Sequence, residues 1–386
     1  MTARERMLAA LANQKPDVLP VTTHHVMPYY LQKRQGGVAI PEFFRKFGFD
    51  AINWHVSQLP DEKRGEFTDA SQSEKGFLES TRILSDQWMV AAERIPDEQY
   101  ETIRYTITTP GGMLSLVLQS NEYTTWIIDH PVKEDKDIEL LEKYLPHPIA
   151  DIEGSLNAQK EIGDKGIVRT HIPTTIDMFG QPGVWQDACC MVGTENLIMK
   201  TYDDPEWVHS LLKVIQKRKI EFIKSLKGAA YDIIELGGGD GCTSVISPAI
   251  FDEFVAPYDK LLIDEAHRSG QKITYHLCGS KMALLDSIAQ MGMDALETLT
   301  PPAMGGDVDL KAIKTKLGSK MCLIGGFDQN NFFVGCSEKD TRLAVRKCFE
   351  EAGGGGGYII SPSDHFFDAE DNLLFAFVDE AHNIKY

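Results

Sequence analysis

KITYHLCGS, residues 272–280, alternates Ile273, Tyr275 and Leu277 with Thr274, His276 and Cys278 and then meets a glycine. That is the period of two expected of a strand with its end marked. Residues two apart on a strand point the same way. His276 and Cys278 therefore project to one side at the strand's carboxyl end, with Cβ atoms roughly 6 to 7 Å apart. An imidazole and a thiol so spaced can reach one zinc ion. The alternative is a buried cysteine beside a hydrogen-bonded histidine.

Outward from this strand, helix and strand take turns. A helical pattern around 254–268 precedes it, and MALLDSIAQMG follows, leading to the strand-like DALETLTP. DLKAIKTKLG then leads to MCLIGGFD, and TRLAVRKCFEEAGG leads to GYIISPSDH, before a last helix, AEDNLLFAFVDEAHNI. In the other direction, a helix over 205–227 leads to YDIIELGGGD, and the segments around 139–162 lead to GIVRTHIPT. DAINWHV follows the helix PEFFRKFG, and DVLPVTTHHV follows the amphipathic TARERMLAALANQ. Eight strands, each followed by helix, predict an α/β fold, a (β/α)8 TIM barrel over 1–386, with its function in the loops at the strand carboxyl ends. The pattern breaks at about 60–146. There YETIRYTITT, GMLSLVLQS and EYTTWIIDH are joined by PGG and SNE, which predicts an antiparallel β-hairpin insertion between strands two and three. It would cover one rim, as a wall of the barrel mouth or as a homodimer surface.

The chain has 386 residues, 42% hydrophobic and 25% charged, with a formal net charge of −18 and a pI near 5.1. Such a field repels phosphate backbones and anionic lipid, which argues against nucleic acid and membrane partners. No apolar run reaches the roughly 18 residues of a membrane span, and MTARERMLAALANQKPD lacks a signal peptide's apolar core. Seven scattered cysteines suit free thiols. A cytoplasmic location is expected.

The predicted strand ends gather a chemically rich ring: His24 and His25, Trp54 and His55, His171, Glu235 and Asp240, His276 and Cys278, Glu297, Asp328, and Asp364 with His365. For a metal, His276 and Cys278 start the set, with Glu235, Glu297 or Asp364 as the third and fourth ligands; a catalytic zinc needs three protein ligands and an open position. Glu235, His276 and Asp364 are the candidate catalytic groups. His24, His25, Tyr29, Trp54, His55, Phe179 and Trp185 are candidates for substrate contact, and Met27 and Tyr30 join the aromatics near the mouth, although core packing explains any of these rings as well. Cys322 reads as core, and the adjacent Cys189 and Cys190 read as buried thiols. GGGDG at 237–241 lacks a phosphate-loop signature and reads as a tight turn.

The full-length pattern resembles the uroporphyrinogen decarboxylase (URO-D) superfamily, whose (β/α)8 members include zinc-dependent corrinoid methyltransferases. The resemblance rests on RERMLAALANQKPDVLPV, MVGTENLIMKTYDDPEWVHSLL, ISPAIFDEFVAPYDK, HLCG, GGFDQ and GYIISPSDH. Decarboxylases of that superfamily carry an arginine-rich segment after the first strand and an aspartate after the second; here THHVMPYYLQ and INWHVSQ have neither. The methyltransferase branch carries H-x-C, matched by His276 and Cys278, and a further cysteine in an S-P-G-C segment, where this chain has Asp364 in SPSD. The resemblance implies zinc, a methyl group moved between a small methylated compound and the cobalamin of a separate corrinoid protein, and an oxygen-rich site suited to aryl methyl ethers, as in methyltransferase I of aryl methyl ether O-demethylases. The alternatives are a tetrapyrrole decarboxylase, a methylcobalamin:thiol methyltransferase resembling methylcobalamin:coenzyme M methyltransferase, and a binding protein that keeps the barrel without the chemistry.

Overall fold

The computed structural model describes residues 1–59, 85–96, 98–176 and 179–386. The first helix, Ala3–Leu11, starts where Thr2 and Glu5 cap each other's backbone and buries Met7, Ala10 and Leu11. The helix Ile40–Phe47 buries Phe43, Phe44 and Phe47 and stops at Gly48, whose φ of 81° is left-handed. The strands are β1 (Ala51–Trp54), β2 (Met89–Ile95), β3 (Glu101–Thr109), β4 (Gly112–Ser120), β5 (Thr125–Asp129), β6 (Gly166–His171), β7 (Ile233–Gly237), β8 (Ile273–His276), β9 (Ala295–Glu297), β10 (Cys322–Ile324) and β11 (Tyr358–Ile359).

Seven of these form one parallel sheet in the order β1-β6-β7-β8-β9-β10-β11. Helices stand between its successive strands, among them Pro205–Ser225 before β7, Ala256–Arg268 before β8 and Glu338–Ala352 before β11. The strands β7, β9 and β10 are buried at every residue, as strands covered on both faces must be. The register brings the polar strand ends side by side. His171 lies opposite Glu235, Gly237 opposite His276, and His276 opposite Glu297. A Cβ on Gly237, whose φ is +108°, would lie 2.3 Å from the carbonyl oxygen of His276, so glycine there lets β7 and β8 approach beside the site.

The prediction of eight ladder strands needs correction. The segment read as the first strand, 17–26, makes only isolated bridges, from Val21 to Ile360 and from Val18 to Lys385. Its central residues still span the two edges of the sheet. Thr22 N donates to Ile360 O, Ile360 N to Pro20 O, and Asp50 N to Val21 O, at 2.9 to 3.1 Å. Pro20 has no N–H to give, and the Asp50 carboxylate takes the Val21 N–H at 3.0 Å in place of a carbonyl. The sheet is therefore a parallel seven-stranded one with a side-chain-tied seam.

The insertion is a four-stranded antiparallel sheet, β2-β3-β4-β5. Its last three strands coincide with the three predicted runs, and β2 is an addition. Residues 60–84 and 97 of the predicted insertion lie outside the described residues. No helix among the described residues is long and apolar enough to cross a membrane.

Candidate metal centre at the strand ends

The strand register sets four charged or imidazole side chains side by side. On β6, Arg169 points inward, although an arginine is almost never fully buried without partners. Its partners are Glu235 and Glu297. Nη2 lies 2.5 Å from Glu235 Oε2 and also donates to Glu297 Oε1, and Nη1 donates to Glu297 Oε2 at 2.9 Å. His24 Nε2 lies 2.8 Å from Glu235 Oε2 and 3.4 Å from Glu297 Oε1. One ligand atom each from His24, Glu235, His276 and Glu297 falls within 4.8 Å of the others.

His276 looks two ways. Its Nδ1 is 3.0 Å from Glu297 Oε1 and 3.7 Å from Glu235 Oε1, while its Nε2 is 3.0 Å from Cys278 Sγ. The strand-end pair is thus brought together, with Glu297 behind the ring. Beyond Cys278, the fully buried Lys281 donates from Nζ to the Gly279 carbonyl at 2.8 Å.

Burial and charge act against each other in this pocket. Burial pulls the His24 imidazole down to about 4, although Glu235 and Glu297 favour its cation. Burial, with His24, His171 and His365 nearby, holds His25 well below the usual range. For His276 burial works in the same direction but loses: Cys278 and the two carboxylates hold it well above the usual range. Burial would raise the carboxyl groups, yet the His24, His171 and Arg169 charges keep Glu235 well below its ordinary value, and Arg169 and His24 bring Glu297 to about 2. Lys281 is lowered by burial to about 8, against the pull of Cys278.

A second group of rings stands against the first. Trp54 is stacked on His25 at 4.1 Å between centroids and on His171 at 4.5 Å, and the Arg169 guanidinium carbon lies 4.7 Å from its ring centre. Its Nε1 donates to the His24 carbonyl at 2.8 Å. Trp54 thus braces the histidines while its own side chain stays half-buried.

The remaining candidates are spread out. Asp364 belongs to neither cluster of metal-capable groups; its Oδ1 accepts from His365 N at 2.7 Å, and the His365 ring is 5.7 Å from His24. His55 faces Asp151 at 3.4 Å and Tyr231, away from the centre. Trp185, 1% exposed, lies in the core with its Nε1 on the Asp240 carbonyl, and Met27 and Tyr30 are core residues too. Asp240 accepts from Thr194 Oγ1, and Asp328 caps the helix Gln329–Phe332. Phe179 packs half-buried against the core. Tyr29 is at the rim, 4.5 Å from Tyr123 of the insertion, with Phe367 closing the group. Cys322, Cys189 and Cys190 are buried, and burial raises all three thiols. Sequence reasoning missed Arg169, whose signal was a lone arginine inside the apolar run GIVRTH.

Comparison with known proteins agrees with this architecture. A methyltransferase from Methanosarcina mazei superposes with a TM-score of 0.63 at 13% identity, covering 99% of both chains. In sequence, the chain is 22% identical over 242 residues to a uroporphyrinogen decarboxylase of Geobacter sulfurreducens, a match spanning 61% of this chain and 66%, just under two thirds, of that one. It is 25% identical over 158 residues to a methylated-thiol–coenzyme M methyltransferase of Methanosarcina mazei, spanning 41% of this chain and 40% of the relative. The family model of uroporphyrinogen decarboxylase (URO-D) matches residues 102–383, which covers six strands of the seven-stranded sheet with Arg169, His171, Glu235, His276 and Glu297, and the chain belongs to that family.

Proposed function

We propose that this chain is a zinc-dependent methyltransferase that moves a methyl group between a small methylated compound, favoured as an aryl methyl ether, and the cobalamin of a separate corrinoid protein. The observation that carries the reading is the two-way contact of His276, with Nδ1 on Glu297 and Nε2 on Cys278, each at 3.0 Å. A metal-binding histidine commonly donates its other ring N–H to a carboxylate, which fixes the tautomer and ring orientation. Borderline N and S donors at that spacing suit zinc. His276 Nε2 and Cys278 Sγ would hold the ion, and the nearest carboxylates, Glu235 and Glu297, offer oxygens on the other side of the ring. When bound, zinc would supply Lewis acidity that draws charge from the heteroatom bearing the methyl group.

The protein's own part is positioning. With an ion bound, Glu297 would accept from Nδ1 and leave the Nε2 lone pair for the metal. Arg169 grips Glu297 with two nitrogens, and this fixes the carboxylate that fixes the ring. Lys281, fully buried nearby, holds the turn after Cys278 through the Gly279 carbonyl.

Decarboxylation of a tetrapyrrole with many carboxylates fits poorly. The arginine in this pocket is committed to Glu235 and Glu297 and has no fork left for a substrate carboxylate. A methylated thiol is the second donor class, favoured by the thiol-methyl chemistry named for one relative. The assay is methylcobalamin formation from parallel panels of methoxyarenes and methylated thiols with reduced corrinoid. Turnover of methoxyarenes, lost in Cys278→Ser, is expected. Turnover of thiols alone shifts the donor class, and release of carbon dioxide from uroporphyrinogen without methyl transfer overturns the reading.

A further inference from the structure

Three imidazoles stand together that the proposed transfer does not use. His24, His25 and His171 each offer a ring nitrogen, and the three atoms lie within 4.8 Å of one another. Two of them are neighbours in the chain, and neighbours on a strand would face opposite sides. Here the chain bends at His24, and the two rings meet edge to face at 4.2 Å. Trp54 fixes all three at once, by stacking on His25 and His171 and by its hydrogen bond to the His24 carbonyl.

Glu235 stands beside two members of the group. Its Oε2 is 2.8 Å from His24 Nε2 and its Oε1 is 3.3 Å from His171 Nε2. Arg169 takes Oε2, which leaves Oε1 directed at His171. His24 is more than nine-tenths buried, and its Nδ1 has no hydrogen-bond partner among the described residues, so protein acceptors do not use both of its nitrogens. The three imidazoles form a three-donor set for a borderline divalent ion, with a position left open.

We propose that His24, His25 and His171 form a second divalent-cation site for a zinc-class ion, flanked by Glu235 and separate from the position between His276 and Cys278. The His276 ring separates the two, since Glu235 Oε1 is 3.7 Å from His276 Nδ1 while Nε2 faces Cys278. The set contains no sulfur, and that makes the two positions separable by experiment.

The test is titration of the metal-free, reduced protein with cobalt(II), read by absorption and by metal content. Wild type is expected to take two equivalents, with a sulfur-to-cobalt charge-transfer band belonging to one of them. The double variant His25→Ala/His171→Ala should take one equivalent and keep the band, whereas Cys278→Ser should take one and lose it. If the double variant does not fold, the single variant His25→Gln carries the same reading, with the second equivalent bound at least about tenfold more weakly and the first unchanged. Saturation of wild type at one equivalent, or two equivalents surviving the histidine changes, overturns the second site. Loss of the band's dependence on Cys278 overturns instead the position assigned to the first ion.

Discussion

Two buried charge clusters in this molecule differ in what they leave unfinished. Behind the sheet, Lys219 and Asp187 are both fully buried and pair at 2.9 Å. The ammonium's other two protons go to the carbonyls of Pro173 and Gln181 at 2.9 and 3.0 Å, and Asp187 accepts from the N–H groups of Thr175 and Gln181. Three donors meet three acceptors, and the effect is to tie down both ends of the loop after β6. At the strand ends, Arg169, Glu235 and Glu297 are as deeply buried, but Arg169 Nε and His24 Nδ1 have no partners among the described residues, and single carboxylate oxygens serve several neighbours. Equal burial thus supports opposite roles. A saturated network fixes shape, and a network with spare donors and lone pairs is ready to bind something.

The largest expected effect would break this comparison on its structural side. Lys219→Met leaves Asp187 buried without its cation, at a cost of about 3–5 kcal/mol, read by urea denaturation, while metal binding at the strand ends is unchanged. Unaltered stability would show that the saturated cluster is not structural. Next in size is a pH effect beside the same network. Asp259 accepts from Val184 N and from the Tyr275 hydroxyl, and burial pushes its carboxyl up from 3.8 to about 6. The folded state then holds its proton to higher pH than the unfolded chain does, so this contribution is fully present below about pH 4 and is lost as pH rises to about 6, a fall of roughly 3 kcal/mol. Asp259→Asn should flatten that slope in denaturation curves across pH 4 to 7, and a slope that persists assigns it elsewhere.

On the other side of the comparison, Glu297→Gln keeps the shape and removes the charge that orients His276. Metal affinity in chelator competition should fall about 10- to 100-fold. An unchanged affinity would mean that the ring is held without Glu297. The smallest effect is at the rim. Tyr123→Ala removes the contacts with Tyr29 and Phe367 and should cost no more than about 0.5–1.5 kcal/mol, with metal binding untouched. A change in metal binding there would link the insertion to the centre.

Much of the fold was legible in the residues themselves. The strands β6 to β11 announced themselves by short apolar runs between amphipathic helices. The strand at 17–26 was over-read, because DVLPVTTHHV has β-rich composition but Pro20 interrupts its hydrogen bonding. The strand β2 went unseen, since MVAAERI has one fully buried residue, Val90, and so no alternation to detect. In the centre, Glu235, His276 and Glu297 were legible because each lies at or near the carboxyl end of a strand. The role of His24 beside the carboxylates was not, because it depends on a bend, and Arg169 was hidden as a single charge inside the apolar run GIVRTH. A buried arginine predicts its own carboxylates, and that rule would have joined Glu235 to Glu297 in advance.

The seam at Pro20 to Thr22 looks like a defect, one position where the ladder is replaced by single bridges and the Asp50 carboxylate. For anyone redesigning the protein it is the part to leave alone. Regularising the segment into a paired strand would add backbone hydrogen bonds and a tidier sheet, but strict alternation would then turn either His24 or His25 to the outside. The loss of order at this one edge is what allows consecutive residues to face the same interior, so idealisation here would trade a more regular sheet for an emptier centre.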